Sequence, residues 1–324
     1  MASAASAITD NGIGVAGTSW HSKILPLKIF PTSTCDTADS ADVAAAINYA
    51  IWASTRHASY SGRLVINMSV GCTNSCVSAC PESLLEREAI GNAISNNILV
   101  VAAKGNCGNS VKVLPSDYAG VIGVGATDLS DGLASFSSYG SSTDIVAPGV
   151  DIYGAAKGGG FGNTSDDGTS FAAPIVAGAA ALIFSMLPTA TTTQVEAWLY
   201  NGADDLGASG RDDYFGYGRL NVFKTLSLAR YGALPSSGDA ERALAIPNPF
   251  HRSSSGRVTF SVDSSIVGAN TSVQIYDLGG SLIKQLTGFS WDGTNDEGVS
   301  VVSGVYFVRV KTDRGQAVGR VIVE

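Results

Sequence analysis

Between residues 24 and 146 the chain alternates between two hydrophobic rhythms. Short apolar runs at Ile24–Phe30, Leu64–Met68, Ile98–Ala103 and Val121–Val124 have the length and content of buried strands. Between the first two, Val43, Ala46, Ile47, Ala50 and Ile51 recur at the spacing of one helix face, with Asp39 or Ser40 placed to cap its start. Between the second and third, Leu85, Ala89, Ile90, Ala93 and Ile94 do the same. Unbroken apolar strands alternating with helices predict an α/β domain whose parallel sheet carries helices on both faces. Ligands of such sheets bind beyond the carboxyl ends of the strands, which is where Ser69–Gly71 and Gly105–Asn106 fall.

The longest apolar run, Phe171–Leu187, contains Pro174 and Gly178, is rich in Ala and is just short of a membrane span. It predicts a buried helix and no transmembrane segment. After Tyr231 the texture changes to a polar stretch bearing Pro, Gly and Ser, Gly232–Arg242, which reads as a linker. Beyond it come alternating strands at Arg257–Val262, Ser272–Tyr276, Ser281–Leu286, Gly304–Val310 and Ala317–Val323. Gly279-Gly280 and Arg314-Gly315 mark hairpin turns. The expected division is a domain over 1–231, a linker over 232–244 and a small antiparallel sandwich over 245–324.

Composition narrows the function. Of 324 residues, 45% are hydrophobic and 15% charged, enough apolar content to bury a sizeable core. The net charge of −8, with Lys and Arg scattered, excludes a nucleic-acid face and a polybasic membrane patch. Residues 1–5 carry no Lys or Arg, and the apolar stretch there is broken at Thr9, Asp10 and Asn11, so this is not a signal peptide. The five Cys argue for oxidising surroundings: Cys72, Cys76 and Cys80 share one loop, with Cys35 and Cys107 elsewhere. Their spacing is not that of metal-binding CxxC pairs. An odd count leaves one thiol free or paired outside these residues.

The strongest local signal is Gly168-Thr169-Ser170-Phe171-Ala172-Ala173-Pro174-Ile175-Val176-Ala177-Gly178. It sets a Ser just before a helix with Pro in its first turn, where a missing N–H costs nothing. Free backbone N–H groups and the positive end of the helix dipole would favour negative charge developing beside Ser170. Read alone, the segment also allows Ser170 to be a helix cap. Asn106, next to Gly105, could likewise be a turn residue.

Several segments together resemble the subtilisin-like serine peptidases. Gly168–Gly178 is similar to the family's nucleophile motif, Val100–Asn106 to its oxyanion segment and Leu64–Gly71 to its substrate-aligning strand. Residues 115–127, 134–149 and 216–222 follow in the family's order. The resemblance implies a subtilisin-like fold and a secreted or cell-surface endopeptidase acting on polypeptides. It implies Ser170 as nucleophile, Asn106 as oxyanion donor, and Ser69, Val70, Gly71, Ala102, Ala103 and Gly105 along the substrate. It implies no cofactor and no catalytic metal; structural calcium is left open.

The family's catalytic His and Asp have no counterpart here. Residues 1–15 resemble the stretch just after that His, which places it before Met1 and the Asp further upstream. His21, His57 and His251 match no triad position. The chain is therefore expected to be inactive alone, a fragment of an enzyme. A pseudoprotease that binds peptides, or a surface protein defined by its tail, are the alternatives. The tail, Ala245–Glu324, resembles the FlgD-like immunoglobulin-type domain of secreted bacterial proteins, through Pro247–Phe250, Val273–Gly280, Trp291–Gly298 and Ser303–Phe307. This implies a role in export or surface attachment. Asp292, Asn295 and Asp296 suit Asx turns better than a calcium site.

Overall fold

The computed structural model describes residues 1–9, 14–19, 22–30, 38–56, 62–71, 76, 80–156, 158–163, 167–232, 241–246, 248–251, 256–262, 270–277 and 280–324. They form two compact units, Met1–Leu234 and Pro235–Glu324. The first holds α1 (Ala2–Ser6), α2 (Ser40–Arg56), β1 (Val65–Met68), α3 (Leu84–Ser95), β2 (Leu99–Ala103), β3 (Val121–Thr127) and β4 (Ile145–Pro148). It continues with β5 (Tyr153–Ala155), β6 (Phe161–Asn163), α4 (Thr169–Met186), α5 (Thr192–Asn201) and α6 (Val222–Tyr231).

Strands β1–β4 form a parallel sheet in that order. The period of two along β2 decides the layers. Leu99, Val101 and Ala103 face the cluster that contains α4, while Val100 and Ala102 join Val43 and Ile47 of α2 and Ile90 of α3. Every residue of β2 and β3 is buried. Burying a Val, Leu or Ile side chain contributes about 1.5–3 kcal/mol, so the sheet is held from both faces. Asp39 caps α2 by accepting from the Ala41 N–H at 3.0 Å. Ser83 caps α3 through the Glu86 N–H at 3.3 Å.

α4 has the length and apolarity of a membrane span, and 61% of it is buried within the unit. Ala172, Ala173, Val176, Ala179, Ala180 and Ile183 are all within the core it shares with the sheet. α1 lies against it, and Gly178 permits that approach: a Cβ there would come within 2.7 Å of the Ala5 carbonyl oxygen.

Residues 24–30, expected as a strand, are not one: they belong to no ladder, and Ile24 is 48% exposed. An apolar run shows that a segment can be buried, but a strand also needs a neighbour to bond. The loop at 11–13, His21, Cys35, His57 and Cys72 lie outside the described residues.

The second unit is all β: β7 (Glu241–Arg242), β8 (Leu244–Ile246), β9 (Val258–Ser261), β10 (Ser272–Tyr276), β11 (Leu282–Leu286), β12 (Ser290–Trp291), β13 (Gly304–Lys311) and β14 (Gln316–Val323). One sheet has the order β11-β10-β13-β14-β7, the other β12-β9-β8. Residues 241–242, read as linker from their polarity, instead pair in parallel with Ala317 and Val318 along the β14 edge. Both sheets feed one core of Val258, Phe260, Ile275, Val308, Val321 and the fully buried Trp291. The Trp291 indole N–H donates to the Thr294 carbonyl at 2.8 Å, and Tyr306 meets the ring edge-on at 5.5 Å. Asp292 accepts from the Thr294 N–H and hydroxyl, and Asn295 from the Glu297 and Val299 N–H groups, which are the expected Asx turns.

Expressed alone, residues 235–324 should give dispersed amide resonances and one cooperative melt. Trp291→Ala should lower the unfolding free energy of that unit by about 3–5 kcal/mol in urea titration. A non-cooperative product would show that the two sheets need the rest of the chain.

Candidate active site

The segment after β2 and the start of α4 are knotted together. The N-cap of α4 is Gly168, so Ser170 is the second residue of the helix and is not its cap. Its hydroxyl is thus free of the capping role and sits half-buried in the first turn, where backbone N–H groups have no intrahelical partners. Pro174, expected in the first turn, lies in the second, inside the helix.

Thr169, buried between them, ties Asn106 to this turn. Asn106 Oδ1 accepts from the Thr169 N–H at 2.9 Å and from its hydroxyl at 2.8 Å. The Gly105 N–H bonds Thr169 Oγ1 at 3.1 Å. An N–H can only donate, so the Asn106 amide must turn its oxygen inward. Its Nδ2 is then left as a donor on an exposed residue beside the head of α4. Gly105 adopts φ +102°, a conformation that favours glycine, and it directs the chain out of β2 into this turn.

Anchors stand on both sides of Asn106. Lys104 has a side chain only 1% exposed, ion-paired with Asp117 and donating to Ser142 Oγ at 2.9 Å. Asp117 also accepts from Ser142 Oγ at 2.7 Å and from the Val113 N–H at 3.1 Å. Asp144, two residues beyond Ser142, is held above the ordinary carboxylate range by burial, against the opposing hydrogen bond from the Gly123 N–H. On the other side, Cys107 is bonded to Cys76, and its N–H donates to Ser138 Oγ at 3.1 Å. Cys80 is also disulfide-bonded. A disulfide closing a loop of this length restricts the unfolded chain by about 3–4 kcal/mol.

Of the residues singled out from the sequence, Ser69 and Val70 are half-buried and Gly71 is exposed, just past the end of β1. Ala102 and Ala103 lie inside β2, with their side chains in the two cores. His251 is in the second unit, against Glu324 at 3.1 Å. A cleft of about 570 Å³ runs between α4, at Ala177, Ala181 and Phe184, and β1, at Val65 and Asn67. β1 stands at the sheet edge among the described residues. Thr169 and Lys104 were not singled out from the sequence, although Thr169 sits inside the motif and a Lys directly after an apolar strand is itself a signal.

A hydroxyl at the head of a buried helix, with an amide donor fixed beside it beyond the carboxyl ends of a parallel sheet, suits the chemistry of acyl transfer. Comparison with known proteins narrows this class. Residues 1–218 match the subtilase family, and residues 245–324 match the secretion system C-terminal sorting domain. The chain is 38% identical over 227 residues to the thermophilic serine proteinase of Bacillus sp. (strain AK1), covering 70% of this chain and 51% of that protein. It is 37% identical over 216 residues to subtilisin BL of Lederbergia lenta, covering 67% of this chain and 72% of that protein. Among solved structures, a protease of Pseudoalteromonas arctica PAMC 21717 superposes with a TM-score of 0.59 at 30% identity, covering 70% of this chain and 69% of that one. The S41 psychrophilic protease gives 0.61 at 28% identity, covering 68% and 75%. The chain belongs to the subtilase family, and it spans about half the length of the Bacillus proteinase.

Thr169→Val keeps the shape of the knot and deletes its hydroxyl. It should cost roughly 1–3 kcal/mol of stability, the price of leaving buried partners unsatisfied. Lys104→Met leaves the Asp117 carboxylate without its cation and should cost about 3–5 kcal/mol. Urea unfolding of the whole chain measures both, and a loss below 0.5 kcal/mol, about the scatter of surface substitutions, would remove either residue from the anchoring of Asn106.

Proposed function

We propose that this chain carries the nucleophile and the oxyanion donor of a secreted serine endopeptidase. The observation that supports it best is the Asn106–Thr169–Ser170 knot, which sets a side-chain donor beside a hydroxyl in the first turn of α4. In this reading a peptide lies along Ser69–Gly71 and Gly105, held through its backbone. Ser170 Oγ attacks the scissile carbonyl carbon as its proton passes to a base. The carbonyl electrons move onto oxygen, where Asn106 Nδ2 and a helix-start N–H receive the charge. Collapse expels the amine, which takes up the proton, and leaves an acyl-enzyme on Ser170. Water then adds by the same route and releases the acid.

The base is not among the described residues of the site. His251 lies in the other unit, and His21 and His57 match no triad motif. The proposal therefore assigns the family's His and Asp to polypeptide outside these 324 residues. The edge of β1, without a partner strand among the described residues, and the cleft beside it are consistent with a further segment packing there. The chain by itself is then inactive, since a Ser without its base is a weak nucleophile. The match of residues 245–324 to a sorting domain supports secretion or surface display, with export machinery as the tail's partner. Its two sheets around one core are in keeping with an immunoglobulin-type sandwich of the FlgD-like kind.

The 324-residue chain should not turn over casein, and a rate that vanishes on Ser170→Ala would reveal a different base. When the base-bearing segment is supplied, fluorophosphonate labelling and peptidase activity should appear and be lost in Ser170→Ala. Asn106→Leu should then lower kcat by roughly 10²–10³-fold with KM little changed, a magnitude carried over from a subtilisin. Labelling that persists at full rate in Ser170→Ala would overturn the assignment.

A further inference from the structure

Pro174 sits inside α4 and has no N–H to give. In a regular α-helix the residue at 174 would donate to the carbonyl four positions back, which is that of Ser170. The helix has therefore lost the backbone bond that would fix the carbonyl of the proposed nucleophile. The structure supplies a replacement from another element. Ser69, the first residue past β1, donates its hydroxyl to the Ser170 carbonyl oxygen at 2.9 Å. Ser69 Oγ in turn accepts from Asn67 Nδ2 at 3.0 Å. Asn67 lies in β1 and lines the cleft beside α4.

We infer that Ser69 is a positioning residue for Ser170: its side chain takes over the carbonyl that Pro174 leaves unbonded and so sets the first turn of α4, with Asn67 orienting the Ser69 hydroxyl. This rests on the proposed role of Ser170 and gives Ser69 a side-chain duty separate from any backbone contact with substrate. The chemistry selects the residue type. The hydroxyl must donate to one oxygen while accepting from an amide, which Ser and Thr do and Ala and Val do not. The two-bond relay also joins the edge strand to the nucleophile's own peptide group, so whatever engages Asn67 acts on the position of Ser170.

The relay and the proline make one claim, which a double-mutant cycle isolates. With Pro174 present, Ser69→Ala in the 324-residue chain should lower the folding equilibrium constant by roughly 10-fold, the worth of one buried hydrogen bond and the acceptor it satisfied. In the Pro174→Ala background, where residue 174 can donate, the same Ser69→Ala change should cost less than about 3-fold. Ser69→Thr, which keeps the hydroxyl, should keep the parent's folding equilibrium constant in both backgrounds. Equal penalties in the two backgrounds would overturn the inference, whatever the role of Ser170. With the base-bearing segment supplied, Ser69→Ala should lower kcat by roughly 10-fold with KM unchanged, and less in the Pro174→Ala background. A change confined to KM would make Ser69 a substrate-binding residue only. If the stability coupling is found but Ser170 proves unreactive in the supplied form, the relay stands and the proposed endopeptidase function falls.

Discussion

The burial of α4 against the parallel sheet is the constraint on which the rest of the first unit depends. An apolar helix crossing four strands must find its place by fit, because its Ala-rich face offers small, closely spaced contacts and no polar choice of register. Once it is fixed, its first turn emerges at the carboxyl ends of β1 and β2, and the polar groups there can be joined at hydrogen-bond distance. Thr169 then reaches Asn106, and Ser69 reaches Ser170. The polar contacts do not build the unit. They convert a packed helix into a defined arrangement of donors, and their precision is inherited from the apolar core beneath them.

This order explains what could be seen in the residues beforehand. The layers were legible because β2 is buried on both faces, and α2 and α3 carry their apolar residues on one side. The tail was legible because its strands alternate cleanly and its turns are marked. Residues 24–30 were misleading, since composition cannot say whether a neighbouring strand is present. Glu241–Arg242 were missed for the opposite reason: a polar dipeptide recruited through its backbone carries no hydrophobic signature. At the candidate site, Ser170 and Asn106 were singled out by motif. Thr169 and Ser69 act through hydrogen bonds that span 63 and 101 residues, and no local pattern encodes such pairings.

The two units are stabilised differently. The second contains no Cys and depends on a core gathered around Trp291, with β7 masking the outer edge of β14. A covered edge is one less template for pairing with another chain. The first unit adds covalent ties and a buried Lys104–Asp117 pair on either side of Asn106. Such a pair contributes little net stability compared with apolar residues of the same size. Its effect here is to restrict where the segment preceding Asn106 can lie.

The Cys76–Cys107 bond gives that loop a history as well as a shape. The cytosol keeps thiols reduced, and disulfides form in oxidising compartments outside it. If the chain is exported as proposed, it is synthesised with the segment around Asn106 held by hydrogen bonds and the Lys104–Asp117 pair alone, and the covalent tie is added after crossing the membrane. The same residues would then exist in a looser form at birth and a tighter one at their destination. Compartment would then set when this part of the molecule reaches its final stiffness.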